Sequence, residues 1–227
     1  MGAIERGGME AVPVWLRERR TGVGRPAERS RAEVTAAAIA LADREGLAAV
    51  SMRRVAAELG TGAASLYRYV DSRDDLLDLM TDEVAAGYQL PAPGGPWLPG
   101  LLAVCRQGRE LMRRHGWLPE LVLTRSALGP HGTDLLEHVL AVLAGHPAEV
   151  SRKLETFAVM NTLTAALVLS ELNGGSAAHQ RQGAYLAHAI EAGRHPHLTA
   201  ALTGGPLVPA PRFADTVSRV LVGLLGE

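Results

Sequence analysis

Residues 51–80 read SMRRVAAELG TGAASLYRYV DSRDDLLDLM, and the spacing of apolar residues in this stretch decides the fold. Ser51 is placed to cap a helix in which Met52, Val55, Ala56 and Leu59 recur on one face. Gly60 breaks that helix after about two turns. Beyond Gly60, Thr61 and Gly62, the residues Ala63, Leu66 and Val70 fall at i, i+3 and i+7, which predicts a second short helix over Ala63 to Tyr69. Ser72 with Asp75 three residues later forms a capping box for a third helix, whose stripe is Leu76, Leu77, Met80 and Val84 and which is predicted to reach Tyr88.

Working outward, Ser30 and Glu33 form another capping box, followed by Val34, Ala37, Ala38, Leu41 and Ala42 at helical spacing. Gly46 is the predicted stop, because a residue without Cβ enters the positive-φ region at least cost. Residues 1–29 hold Gly, Pro and Arg without periodicity and are expected to form a flexible basic arm. Downstream, Pro91, Pro93, Gly94, Gly95, Pro96 and Gly100 mark a break between modules. The expected division is therefore an arm over 1–29, a front module over 30–90 and a rear module over 96–227. In the rear module helices are predicted at Trp97 to His115, Leu118 to Leu123, Thr133 to Ala144, Ala148 to Leu172, Ser176 to Glu191 and Pro211 to Leu225. The stretch from Gly193 to Pro211 reads as loop with one helical turn at most. No strand-like alternation competes, so the fold class is all-α.

Composition agrees with a packed helical protein: of 227 residues, 47% are apolar and only 4% aromatic. The net charge of −1 excludes a generally basic surface, so any contact with nucleic acid must come from a local patch. Between Arg17 and Arg31, Arg17, Arg19, Arg20, Arg25, Arg29 and Arg31 stand against Glu18 and Glu28, which makes such a patch or a solubilising arm. Cys105 is the single cysteine, so no internal disulfide forms, no Cys/His spacing fits zinc, and a cytoplasmic location is expected. Glu5, Arg6 and Glu10 interrupt the start of the chain, against a secretory signal. The apolar run Ala165 to Leu169 falls far short of the ~20 residues of a membrane span. Gly60, Thr61 and Gly62 follow a helix rather than a strand and lack a Lys-Ser/Thr, so they are no phosphate loop.

Two short helices joined by a glycine turn let the second enter a major groove while the first braces it across the backbone. On the second helix Ala64, Ser65, Arg68 and Tyr69 point away from Leu66 and Val70, with Tyr67 at the flank. Small residues at its start admit close approach to base edges, and Arg68 is long enough for a guanine or a phosphate. The segment from Ser30 to Val84 resembles the DNA-binding domain of the TetR family, the tetracycline-repressor-type regulators. The resemblance is carried by SMRRVAAELG, TGAASLYRYV and DSRDDLLDLM, and most specifically by Leu66, Tyr67, Arg68, Tyr69 and Val70 followed by Ser72 and Arg73. It implies that Arg53 and Arg54 sit at the backbone-facing start of the bracing helix. It implies further that Ala63, Ala64, Ser65, Arg68 and Tyr69 meet bases, and that Tyr67 and Arg73 hold phosphates. The alternative for Arg53 and Arg54 is an ordinary solvated pair.

One recognition helix reads too few base pairs for specificity, so a homodimer on a palindromic double-stranded operator is expected, with two helices about 34 Å apart. Arg152 to Leu172 is apolar nearly all round, which demands burial on more than one side, and Pro211 to Leu225 is a second candidate for pairing. The resemblance implies that two late helices of each chain build a four-helix dimer bundle and that the helices over Trp97 to Leu123 help to enclose a small effector. Residues weighed for an effector site are Asn161, Thr164 and Glu171 on one helical face, His115 and Trp117 near a helix break, and Cys105. Each also has a plainer reading: intrahelical bonding for Thr164, solvent exposure for Glu171, core for Trp117 and Cys105, surface for His115. The family's metal-bound drug site has no residue-by-residue counterpart here, so neither metal nor cofactor is expected. No nucleophile, base and orienting group can be named together, against an enzyme. The expectation is a repressor released by a small effector; a constitutive regulator and a helical small-molecule carrier are the alternatives.

Overall fold

The computed structural model describes residues 12–17, 29–125, 128–174, 177–203 and 213–226. Among these the regular structure is helical, with eleven α-helices and two short 3-10 turns. The front helices are α1 (Arg31–Glu45), α2 (Met52–Glu58), α3 (Ala63–Leu66) and α4 (Arg73–Ala85). The rear ones are α5 (Trp97–Arg114), α6 (Leu118–Thr124), α7 (Pro130–Val142), α8 (Val150–Asn173), α9 (Ala177–Glu191), α10 (Pro196–Thr203) and α11 (Phe213–Leu225).

The start and stop signals act as expected. Ser30 Oγ accepts from the Glu33 amide at 3.1 Å while the Ser30 amide donates to the Glu33 carboxylate, a reciprocal capping box on α1. Gly46 ends α1 at φ +83°, a conformation that excludes a Cβ. Ser51 and Ser72 cap α2 and α4 through the Arg54 and Asp75 amides, but the box expected at Ser72 is half formed, because the Asp75 carboxylate turns to Arg17 instead. Between α2 and α3, Gly60 turns the chain at φ +63°. Helix α3 is one turn long; Arg68, Tyr69 and Val70 continue it as a tight turn, their amides donating to Ser65 and Leu66 carbonyls. Likewise α4 ends at Ala85 rather than Tyr88, and the chain turns through Gly87 and Tyr88.

Two further elements depart from the sequence reading. Within the expected flexible arm, Val14–Leu16 form a 3-10 turn with Val14 only 3% exposed in the core. Arg17 anchors the turn on Asp75 at 2.7 Å and Asp71 at 3.3 Å, and Arg31 Nη1 donates to the Val14 carbonyl. Arg29 is also committed, to the Leu59 carbonyl. Arg19, Arg20 and Arg25 lie outside the described residues. In the stretch read as loop, Pro196 opens the two-turn helix α10; proline at a first helical position forfeits an amide that has no partner there anyway.

Two apolar clusters fill the fold. One joins α1 to α4 and Val14 to Leu111, Met112, Trp117, Leu118 and Leu121 of the rear helices and to Ala165 and Val168 of α8. The other holds Leu101, Val104 and Cys105 of α5, Leu135 and Val139 of α7, Met160 of α8, and Val217 and Leu221 of α11. Helix α8 feeds both and packs on α5, α6, α7 and α11. Its other face remains open in the single chain, with Leu154 and Leu172 exposed. Among the described residues no helix is long and apolar enough to cross a membrane.

Candidate nucleic-acid interface and ligand cavity

Leu66 and Val70, each 1% exposed, fix α3 against α1 and α2 and turn its opposite face outward. Arg53, Ala64, Tyr67 and Arg68 are exposed on that outer surface, and Ala63, Ser65 and Tyr69 are half-buried. Ala63 and Tyr69 pack on the first core cluster, and the Arg68 guanidinium lies 5.8 Å from the Tyr69 ring. Arg53 and Arg68 make no ion pair among the described residues, so their charges are available to a polyanion.

The other basic residues of the region are spent inside the module. Arg54 Nη2 reaches both carboxylate oxygens of Glu45 at 2.8 Å, and Arg44 pairs with Glu58 at 2.8 Å, so two ion pairs tie the end of α1 to α2. Arg73 Nε donates to the Val50 carbonyl at 2.8 Å and its Nη2 to that of Leu47 at 3.3 Å. Arg31 Nε donates to the Tyr69 carbonyl at 3.1 Å, holding the end of the recognition turn. Arg54 and Arg73 thus brace the hairpin through these bonds in this structure, contacts that their sequence context did not reveal.

A cavity of about 310 Å³ lies where α4 meets the rear helices. Its walls are Thr81, Asp82, Val84 and Ala85 of α4, Tyr88 of the turn that follows it, Leu111 and Met112 of α5, Leu118, Val122 and the capping Arg125 of α6, Leu128, Gly132 and Leu135 on the α7 side, and Phe157, Ala158, Asn161 and Thr162 of α8. This size is at the small end of the roughly 300–1,000 Å³ typical of ligand pockets. Among the described residues no group of His, Cys, Asp and Glu side chains is arranged to hold a metal.

Of the residues weighed for an effector, Asn161 lines the cavity and the others do not. Asn161 Nδ2 donates to the Phe157 carbonyl at 3.1 Å, one turn back. Thr164 and Cys105 are buried behind the wall. Among the described residues no partner of good hydrogen-bond geometry reaches Thr164 Oγ1, although the Cys105 thiol is near enough to interact with it. Burial pushes the Cys105 thiol up to about 11, so it is protonated at neutral pH and a poor nucleophile. Tyr88, likewise raised by burial, presents a neutral phenol; its oxygen sits over Gly108, where a Cβ would come within 2.5 Å. Glu171 instead forms a two-point ion pair with Arg109, both contacts 3.0 Å, joining α5 to α8.

His115 and Trp117, read as a pocket mouth, face the front module. His115 Nδ1 lies 2.8 Å and Trp117 Nε1 2.7 Å from the same Oδ1 of Asp43 on α1. A carboxylate only accepts, so both ring nitrogens donate. Two more polar links cross the same joint from α4. Arg125, at the end of α6, pairs with Asp78 at 2.7 Å and Asp74 at 3.0 Å. Asp82 accepts from the Gly132 amide at 2.9 Å, capping the first turn of α7 from another helix. Replacing Asp43 by Ala would strand the indole N–H of Trp117, a residue only 5% exposed. The expected cost is about 1–3 kcal/mol. A thermal melt reads this as a fall of about 2–4 °C per kcal/mol. Asp43→Asn, which keeps an acceptor oxygen, is expected to recover most of it.

Residues 34–80 match the family described as bacterial regulatory proteins, tetR family, and residues 90–224 match the tetracyclin repressor-like C-terminal domain. The chain belongs to the tetR family. The repressor DrrR1 of Streptomyces coeruleorubidus is 48% identical over 112 residues, covering 48% of this chain and 42% of that protein. An HTH-type transcriptional regulator of Saccharopolyspora erythraea is 35% identical over 132 residues, 58% of this chain and 56% of the other. The chain thus spans about half the length of the curated relatives it matches. Among solved structures, the TetR family protein ActR of Streptomyces coelicolor in complex with (S)-DNPA superposes with a TM-score of 0.75 at 29% identity, over 87% of this chain and 97% of ActR. ActR in complex with actinorhodin gives 0.73 at 28% identity, over 88% and 96%. For this tetR-family chain, both the helix-turn-helix and the helical rear module therefore have relatives in sequence and in fold.

Proposed function

We propose that this tetR-family chain is a cytoplasmic, homodimeric transcriptional repressor that binds a palindromic DNA operator through α3 and lets it go when a small organic effector fills the cavity. The observation that carries the reading is that α4, which follows directly on the recognition turn, is itself a wall of the cavity. An occupant that widens the space between α4 and α5 to α8 displaces the element to which α3 is attached. A coupling of roughly 1–3 kcal/mol gives 5- to 150-fold weaker operator binding.

Base contacts fall in this reading to Ala63, Ala64, Ser65 and Arg68, and phosphate contacts to Arg53 and Tyr67. Tyr69 acts from its half-buried position, and Arg54 and Arg73 act by holding the module in shape. The open face of α8 with α11 supplies the dimer contact, in keeping with the exposed Leu154 and Leu172. ActR, bound to actinorhodin and to (S)-DNPA, supports a small-molecule effector, and DrrR1 supports repression as the sign of control. The test is selection of bound duplexes from a random pool by the purified protein, with sedimentation to count chains. A selected motif with two inverted halves about one helical turn apart, bound by two chains, is the expected result. Enrichment without symmetry, or binding with no sequence preference at physiological salt, defeats it.

A further inference from the structure

The reading of the cavity as an effector site leaves open what chemistry it takes, and its wall carries an uneven set of polar groups. Asp82 is its acidic lining residue and Arg125 its basic one. Arg125 is already engaged by Asp78 and Asp74, whose hydrogen bonds and charges outweigh the effect of burial and hold the guanidinium above its ordinary pKa. It has no charge to spare for an anion. Asp82 is the reverse. Only 7% exposed, it forms no ion pair among the described residues and receives the Gly132 amide on one oxygen, with the partial positive charge of the α7 start behind it. Gly129, where a Cβ would fall 2.4 Å from the Asp82 carboxyl carbon, presses the backbone onto this group and fixes its place. Buried carboxylates are ordinarily matched by a full positive charge.

The remaining polar wall points the same way. One N–H of the Asn161 amide is used within α8, and its oxygen remains an acceptor for a donor in the cavity. The hydroxyls of Thr81, Thr162 and Tyr88 are neutral, that of Thr81 donating to the Leu77 carbonyl, and the rest of the wall is apolar, with Val84, Leu111, Met112, Leu118 and Phe157 among it. Resting on the effector reading above, we infer that the cavity takes an organic cation: a compact, largely apolar molecule whose protonated amine pairs with Asp82. Neutral molecules of the same shape fill the apolar walls without that pair, and anions meet an uncompensated carboxylate.

Two ring systems of one shape test this in the DNA-free full chain at pH 7.5: 9-aminoacridine, a cation there, and acridine, which is uncharged. Titrations followed by dye fluorescence are expected to show the cation binding at least tenfold more tightly. Asp82→Asn keeps an oxygen for the Gly132 amide and removes the charge. It is expected to weaken 9-aminoacridine at least tenfold and leave acridine within twofold. Equal binding of the two dyes by the unaltered chain overturns the inference even if the variant does not fold, and so does a preference that survives Asp82→Asn. The cavity itself is checked with Ala158→Phe, which narrows it. If acridine binds and this change excludes it while no cation preference exists, the effector reading stands and the cation inference falls. If neither dye binds, or both ignore Ala158→Phe, the effector reading falls as well.

Discussion

Replacing Tyr67 and Arg68 together by alanine is expected to abolish sequence-selective DNA binding while the protein melts at its usual temperature. Both side chains are exposed on the outer face of the recognition turn, and neither holds a core contact. A base contact by a long polar side chain is worth about 1–3 kcal/mol of discrimination. The proposed dimer would make each contact twice, so a loss on the order of a hundredfold or more is expected at the preferred site. Anisotropy titrations at one fixed salt concentration, on the selected duplex and on a scrambled one, separate the cases. A larger loss on the selected duplex supports base reading. Equal losses on both would reassign the pair to phosphate contact, and no loss on either would remove α3 from the interface.

Leu66→Ala is expected to have the largest effect on stability, and it abolishes DNA binding by a different route. Leu66 is 1% exposed and seats α3 in the apolar cluster that it shares with α1, α2 and α4. A buried Leu→Ala change costs about 2–5 kcal/mol. That is a large part of the roughly 5–15 kcal/mol that holds a typical domain folded. The melting temperature should fall by about 2–4 °C for each kcal/mol lost. DNA affinity should fall with it on every sequence alike, because the one-turn helix has little intrinsic stability and owes its shape to this side chain. The contrast with the surface pair is the check: a variant that loses affinity but melts normally has lost contacts, and one that loses both has lost the scaffold.

Local rules carried much of the fold. Ser30, Ser51 and Ser72 cap as their neighbours dictate, Gly46 and Gly60 take the positive φ their positions require, and the burial of Leu66 and Val70 follows from spacing alone. Less legible were side chains whose partners lie far along the chain. Arg73 turns to Val50 and Leu47, His115 and Trp117 to Asp43, Glu171 to Arg109, and Arg17 to Asp75. No periodicity within a helix encodes such pairs. Arginines near a helix-turn-helix look alike whether they face phosphate or brace a carbonyl. The cavity was hidden for the same reason, since its walls come from five helices and the segments joining them. Its informative carboxylate, Asp82, sits in a helix for which the sequence reading names only the cap and the apolar stripe. One signal was available: the buried side of α4 already carries Leu79 and Val84, and Asp82 falls at i+3 from the first.

The apolar cluster that runs from Val14 through α1 to α4 into Leu111, Trp117, Leu121 and Val168 has a thermodynamic consequence. Side chains that shield one another from water gain or lose that shelter together, so the reading head and the helices behind it melt as one cooperative body. The glycine- and proline-rich stretch near residue 95 divides the chain by direction without dividing it by energy. A head that cannot loosen alone transmits displacement instead of absorbing it.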